Sequence, residues 1–120
     1  MLIEIFNRLF SENNDNFNFD DCSFVVSKSK ESCSRVVMWK EFGIIYSYTC
    51  EASFCGPTRG IHNNCHFNTM ILEMIGRVYS KTLVDLTENR ERVKRVFQDL
   101  QMRFPVNAPI KKGIYIDDDE

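Results

Sequence analysis

The chain has 120 residues, which suits one domain or part of one, since domains typically run on the order of 100–150 residues. Its 43% hydrophobic content can supply a core, and its net charge of −2 comes without the basic cluster that nucleic acid or an anionic membrane would require. No stretch approaches the roughly 20 apolar residues of a membrane span, and the first ten residues lack the features of a secretory signal.

The first half of the chain predicts one helix followed by strands. Apolar side chains recur at helical spacing over residues 2–10, and the Ser, Asn and Asp of residues 11–16 predict a loop. Residues 22–27, 35–42 and 44–53 are rich in β-branched and aromatic types, which predicts three strands. Residues 27–34 predict a solvated turn between the first two strands. For Lys28 and Lys30 in this turn, a solvated loop is favoured over a binding patch.

The second half predicts two amphipathic helices. The first covers about residues 68–86, and its apolar stripe consists of Leu72, Ile75, Tyr79, Leu83 and Leu86. Thr87 is the predicted cap of a second helix over residues 88–104, which Pro105 and Pro109 end. The apolar stripe of this second helix consists of Val93, Val96, Phe97, Leu100 and Phe104. The acidic residues 117–120 predict a disordered tail.

Strands followed by two terminal helices predict a mixed α/β fold. A central sheet usually has about 4–6 strands, so the two or three strands found here predict an incomplete sheet flanked by helices. We therefore expect the chain to be part of a larger unit or to dock on another chain.

Glu51 is the residue whose pattern points to chemistry. In the predicted strand 44–53 it shares a face with the small hydroxyl residues Ser47, Thr49 and Ser53, near the carboxyl end of the strand, where ligands collect in α/β sheets. A carboxylate with room beside it for water suits a general base. The pattern fits equally a half-exposed edge-strand glutamate paired with a lysine.

Cysteines and histidines cluster in the middle of the chain. Five cysteines, an odd number without a secretory context, predict reduced thiols in a cytosolic protein. A small structural zinc module is the alternative for this cluster, and its members would be Cys50, Cys55, His62, Cys65 and His66. The spacing lacks a paired Cys-x-x-Cys, and free cysteine is a common buried residue. Both points favour reduced cysteines that take part in packing over a zinc module.

The stretch Ser-Tyr-Thr-Cys-Glu-Ala-Ser-Phe-Cys-Gly at residues 47–56 resembles the cytosolic carboxypeptidases, a branch of the M14 zinc metallocarboxypeptidase family. The resemblance extends back through residues 17–22 and forward to His-Phe-Asn-Thr at 66–69, and it covers most of the chain from residue 5 to 86. It implies the C-terminal half of a zinc-carboxypeptidase-like mixed α/β sheet. Residues 1–104 would be this C-terminal portion of the catalytic domain, and residues 105–120 an extension.

The resemblance also implies an activity. Members of this branch remove glutamates from protein C-termini and from polyglutamate side chains, including those of tubulin, in the cytoplasm. Glu51 would be the catalytic carboxylate that takes a proton from the zinc-bound water and delivers it to the leaving amine. Arg35 would bind the side chain of the glutamate being removed. The alternative for Arg35 is a strand end in solvent.

This sequence departs from the family pattern at the zinc ligands. The family holds zinc with a His-x-x-Glu pair and a later His, all upstream of the matching residues, and neither His62 nor His66 begins such a motif. The resemblance thus implies zinc in the intact enzyme, no complete metal site in this chain and no activity of the chain alone. A missing N-terminal half of the catalytic domain would be its partner. The alternative is a non-catalytic relic or interaction domain that binds acidic tails through Arg35 and Lys40.

Overall fold

A computed structural model describes residues 2–104, and within that range all regular structure is helical. The predicted mixed α/β fold is wrong for this part of the chain, because none of its residues forms a β-strand. Three short 3₁₀ turns accompany the α-helices, at Leu2–Glu4, Phe19–Asp21 and Lys28–Lys30. The α-helices are α1 (Ile5–Asn13), α2 (Ser34–Phe42), α3 (Thr69–Glu88) and α4 (Arg90–Arg103).

The predicted strand 35–42 is helix α2. Its β-branched and aromatic residues favoured a strand, but the backbone is helical and Val36 is its buried residue. Gly43 ends the helix in the left-handed conformation, with φ of 67°. The Gly43 amide bonds the carbonyls of Met38 and Trp39, which is a common way to satisfy the last turn of a helix. The other two predicted strands, 22–27 and 44–53, are irregular backbone without a pairing partner in the described part of the chain.

Helix α1 lies at the centre of the molecule and packs against both α3 and α4. The helix predicted at residues 2–10 is thus confirmed, although it extends to Asn13. The side chain of Leu2, which was predicted to lie on its apolar face, is exposed. On one side α1 contributes to a hydrophobic core, and the removal of these side chains from water stabilises the fold. That core consists of Ile5, Leu9, Phe19, Val96 and Leu100. On the other side Phe6 and Phe10 contact the ring of Tyr79, both edge to face.

The long helix predicted from about residue 68 is α3, and the side chain of Asn68 caps it by accepting from the Ile71 amide at 2.9 Å. Its buried face differs from the predicted stripe by about one residue. Ile71 and Thr82 are buried, whereas Leu72 and Leu83 are 45% and 44% exposed. The helices of residues 2–104 include none that combines the length and the apolar character of a membrane span.

The second predicted helix is α4, but its cap is Asn89 and not Thr87. The Asn89 side chain accepts from the Arg92 amide at 3.2 Å, while the Thr87 hydroxyl donates to carbonyls of the preceding turn within α3. Val96 and Leu100 of the predicted stripe are buried, and Phe104 is exposed. Two further predictions concern residues outside the described range: that Pro105 and Pro109 end this helix, and that residues 117–120 form a disordered tail.

Candidate functional site around Glu51

Glu51 lies in the irregular segment that joins α2 to α3, and its side chain is exposed. Within residues 2–104 its carboxylate has no hydrogen-bond or ion-pair partner. The strand that was expected to present it is absent, and so is the lysine pair of the alternative interpretation. What the structure defines is how the chain is held on either side of Glu51, and the assignment of a catalytic role stays a prediction.

Tyr48 holds the chain upstream of Glu51. Its hydroxyl donates to the carbonyl oxygen of Ile3, and its ring stacks on Phe6 with centroids 5.9 Å apart. Burial, followed by the nearby Tyr46 hydroxyl, raises the pKa of Tyr48 well above its ordinary value, so this hydroxyl stays protonated as a donor. The residue three positions before Glu51 is therefore fixed on the N-terminal end of α1.

A close approach of two backbone segments holds the chain downstream of Glu51. The amide of Phe67 donates to the carbonyl of Cys55 at 2.8 Å. A Cβ on Gly56 would lie 1.8 Å from the Cys65 carbonyl oxygen, so only glycine fits at this position. Glu51 thus sits between two fixed points, Tyr48 and Cys55.

The loop that follows is held against the turn after α1. Arg59 Nη1 donates to Asn18 Oδ1 at 2.8 Å, and His62 Nδ1 lies 3.2 Å from Asn16 Oδ1. These two contacts attach residues 59 and 62 to the segment that follows α1. The Nδ1 atom of His62 is used in the contact with Asn16.

A shallow depression of about 340 Å³ opens beside this loop. Its lining includes two thiols and an imidazole, and the lining residues are Cys55, Gly56, Pro57, Thr58, Asn63, Asn64, Cys65 and His66. Nowhere in residues 2–104 do three or more His, Cys, Asp or Glu side chains come together in a way that could hold a metal ion. The described residues therefore do not fit a zinc ion, either at the structural cluster considered from the sequence or beside Glu51.

Arg35 lies in the first turn of α2 and not at a strand end. Its side chain is half-buried and has no ion-pair or hydrogen-bond partner among the residues described. No ion pair or hydrogen bond joins Arg35 to Glu51 in the described part of the chain. The guanidinium is thus available to a ligand.

The sequence did not identify Tyr48 as a residue that positions this segment, whereas a turn at Gly56 and Pro57 could be predicted. Tyr48 carries a strong signal only in three dimensions, because its partner Ile3 is 45 residues away. Gly56 gave a local signal, since a glycine next to proline marks a tight passage of the backbone.

Comparison with known proteins identifies the family. The chain is 48% identical over 82 residues to cytosolic carboxypeptidase 3 of Bos taurus, a match that covers 68% of this chain and 8% of that protein. It is 34% identical over 115 residues to cytosolic carboxypeptidase 2 of Danio rerio, covering 94% of this chain and 16% of the relative. It is 38% identical over 91 residues to cytosolic carboxypeptidase 1 of Mus musculus, covering 76% of this chain and 7% of the relative. The chain is homologous to the cytosolic carboxypeptidases.

This homology confirms the resemblance read from residues 47–56. The chain spans only 7% to 16% of the length of these three cytosolic carboxypeptidases. No family model matches the sequence, and no solved structure matches it.

Proposed function

We propose that this chain is a segment of a carboxypeptidase that removes C-terminal or side-chain glutamates from proteins such as tubulin, with Glu51 as the general base. The observation that supports this most directly is the match to cytosolic carboxypeptidase 2 of Danio rerio, because it covers 94% of the chain and so includes residue 51. The relatives' name supports the hydrolysis of C-terminal residues. Glutamate as the residue removed rests on the family resemblance.

In this proposal Glu51 takes a proton from the water that attacks the scissile carbonyl and delivers it to the amine that leaves. A general base needs access to water and a fixed position relative to the substrate. The exposure of Glu51 provides the first, and the anchors at Tyr48 and Cys55 support the second.

Zinc is the cofactor we propose for the intact enzyme. Because the residues described here form no metal-binding group, the ligands would come from other parts of that enzyme. The chain alone is then without peptidase activity. The partner that completes it would be the N-terminal half of the catalytic domain, and the name of the relatives supports a cytoplasmic location.

Arg35 is the residue we propose for recognition of the glutamate side chain. A guanidinium can bind a carboxylate through two parallel hydrogen bonds, which a point charge such as lysine cannot reproduce. Its half-exposed position without an internal ion pair supports this role. The ligands would be acidic protein C-termini and polyglutamate chains.

A chimeric enzyme tests the proposed role of Glu51. The matching segment of cytosolic carboxypeptidase 2 of Danio rerio is replaced by this chain, and release of glutamate from a polyglutamate peptide is measured beside the unaltered relative. Glu51→Gln should lower kcat by about 10²–10⁴-fold, the usual contribution of a general base, while bound zinc stays constant. Glu41→Gln, which removes another exposed carboxylate, serves as the matched control. Equal turnover in both variants would remove Glu51 from its proposed role.

Binding of acidic tails without catalysis is a second candidate, favoured by the unpaired Arg35. The isolated chain is titrated with a fluorescent polyglutamate peptide, and binding is followed by anisotropy. Arg35→Ala should abolish binding while Arg77→Ala, which removes an exposed guanidinium on α3, leaves it intact. Binding that both variants weaken equally would indicate only a general charge effect.

A further inference from the structure

Two exposed thiols lie at the rim of one depression in the region after Glu51. Cys55 and Cys65 both line the cavity of about 340 Å³, and neither sulfur has a partner among the residues described. Ten positions apart in sequence, they belong to backbone segments that meet at this point.

The backbone contact brings the two cysteine-bearing segments unusually close. The Cys55 carbonyl accepts from the Phe67 amide at 2.8 Å, and the space for a side chain at Gly56 is taken by the Cys65 carbonyl oxygen. A disulfide requires Cα atoms about 4.4–6.8 Å apart, a range typical of residues on directly adjacent backbone segments. The intervening residues 56–64 form a loop, so small adjustments there do not disturb a helix.

Cys50 is exposed as well, but it does not line this depression, and the two remaining cysteines provide a contrast in burial. Cys22 is half-buried, its thiol donates weakly to the Asn18 carbonyl at 3.8 Å, and burial together with Asp21 raises its pKa to about 11. Since the thiolate is the reactive species, such a thiol is nearly inert at neutral pH. Cys33 is also partly buried, while Cys55 and Cys65 are exposed to reagents in solution.

We propose that Cys55 and Cys65 form a reversible disulfide by exchange with a low-molecular-weight disulfide such as oxidised glutathione. The thiolate of one cysteine attacks a sulfur of glutathione disulfide, which forms a mixed disulfide and releases one glutathione thiolate. The thiolate of the second cysteine then attacks the protein sulfur of that mixed disulfide, and the second glutathione leaves. Two electrons pass from the protein to the oxidant, and the two thiol protons end on the two glutathione molecules. This site is independent of the role proposed for Glu51.

Peptide mapping of the full chain tests the proposal. Arg59 lies between the two cysteines, so trypsin places Cys55 in the peptide 41–59 and Cys65 in the peptide 60–77. The protein is incubated with mixtures of reduced and oxidised glutathione, free thiols are alkylated, and the digest is analysed by mass spectrometry without reduction. We expect the peptides 41–59 and 60–77 to be linked, with a loss of two hydrogens, and to separate on treatment with dithiothreitol.

Two variants decide which cysteines form the link. Peptide 41–59 also contains Cys50, so Cys50→Ser should retain the linked pair and Cys55→Ser should abolish it. The helix content measured by circular dichroism verifies that both variants fold. A link that survives in Cys55→Ser would overturn the proposal. It would also be overturned if the wild-type chain accumulated separate glutathione adducts at Cys55 and Cys65 without linking them.

Discussion

The side-chain amide of Asn13 donates to the carboxylate of Asp85 at 2.9 Å, which joins the last residue of α1 to the last turns of α3. The same amide donates to the hydroxyl of Thr82 at 3.0 Å, a side chain with 0% exposure. Asp85 also accepts from Arg92 Nη1 at 2.8 Å at the start of α4. Three helices therefore meet at one carboxylate.

Removal of that carboxylate should destabilise the fold. In Asp85→Ala the amide of Asn13 keeps only Thr82 as an acceptor, and the guanidinium of Arg92 keeps only Glu12 within the described residues. Because each donor loses one of its two acceptors, the expected decrease in the free energy of unfolding is about 1–3 kcal/mol. Asp99→Ala is the control, because the Asp99 carboxylate is 40% exposed and its single ion pair within residues 2–104 is with Arg8, at 3.3 Å. That variant should lose less than about 1 kcal/mol. Urea denaturation measures both, and equal losses would show that the junction of the three helices has no special weight.

Two glycine substitutions should change stability in opposite directions. At Gly76, on the exposed side of α3, an added Cβ meets no atom within 4 Å, so Gly76→Ala should raise the free energy of unfolding by about 0.5–1 kcal/mol. At Gly56 the added Cβ meets the Cys65 carbonyl oxygen, and the forced backbone shift should cost about 1–3 kcal/mol. Thermal unfolding of both variants provides the comparison. A Gly56→Ala chain as stable as wild type would contradict the close approach.

The anchor at Tyr48 can be separated into its two contacts. Tyr48→Phe keeps the ring on Phe6 and removes only the hydrogen bond to Ile3, for an expected loss of about 0.5–1.5 kcal/mol. Tyr48→Ala removes both contacts and should cost clearly more. Tyr46→Phe serves as the control, because the Tyr46 ring is 40% exposed and its hydroxyl has no partner in the described residues. If Tyr46→Phe and Tyr48→Phe had the same effect in urea denaturation, Tyr48 would not be an anchor.

Cys22 should make stability depend on alkaline pH. Burial, with a smaller effect of Asp21, raises its pKa from 9.0 to about 11, so the folded chain keeps this proton at pH values where the unfolded chain releases it. Its contribution is fully present below pH 9 and is lost as the pH rises through 11. The free energy of unfolding should therefore fall more steeply above pH 9 for the wild type than for Cys22→Ala. Parallel pH profiles would contradict the raised pKa.

The helices that the sequence pattern predicted are those with a sustained apolar period. Ile5 and Leu9 of α1 are buried four positions apart, as are Val96 and Leu100 of α4. In α3 the apolar residues also recur at helical spacing, and such a period is visible without knowledge of the fold. The sequence did not determine which face of a helix is buried. Leu72 and Leu83 fit the helical period of α3 as well as Ile71 and Thr82 do, and only the position of α1 decides which pair is buried.

The segments predicted as strands failed for a different reason. Residues 35–42 and 44–53 have β-branched and aromatic side chains, but such propensity expresses packing on a sheet, and residues 2–104 contain no sheet for them to join. In residues 35–42 the decisive signal was Gly43, a glycine that ends a helix. The predicted strands 35–42 and 44–53 lie on either side of this glycine.

The candidate site was predictable only in part. Glu51 was found because residues 47–56 resemble a known family, and its strand-face pattern alone did not distinguish a general base from an ordinary surface carboxylate. Two contacts fix the segment of Glu51. One joins Tyr48 to Ile3, which is distant in sequence, and the other is a backbone hydrogen bond from Phe67 to Cys55 that does not involve their side chains. Side-chain identity alone does not encode them.

Phe54 is completely exposed between the two anchors, at a point where no helix protects the backbone. A protease that cleaves after large apolar residues would meet this bond before any helix opens. The cut would separate a piece with α1 and α2 from a piece with α3 and α4. Because α1 packs against both later helices, the nicked halves should remain associated in native buffer and part only in denaturant.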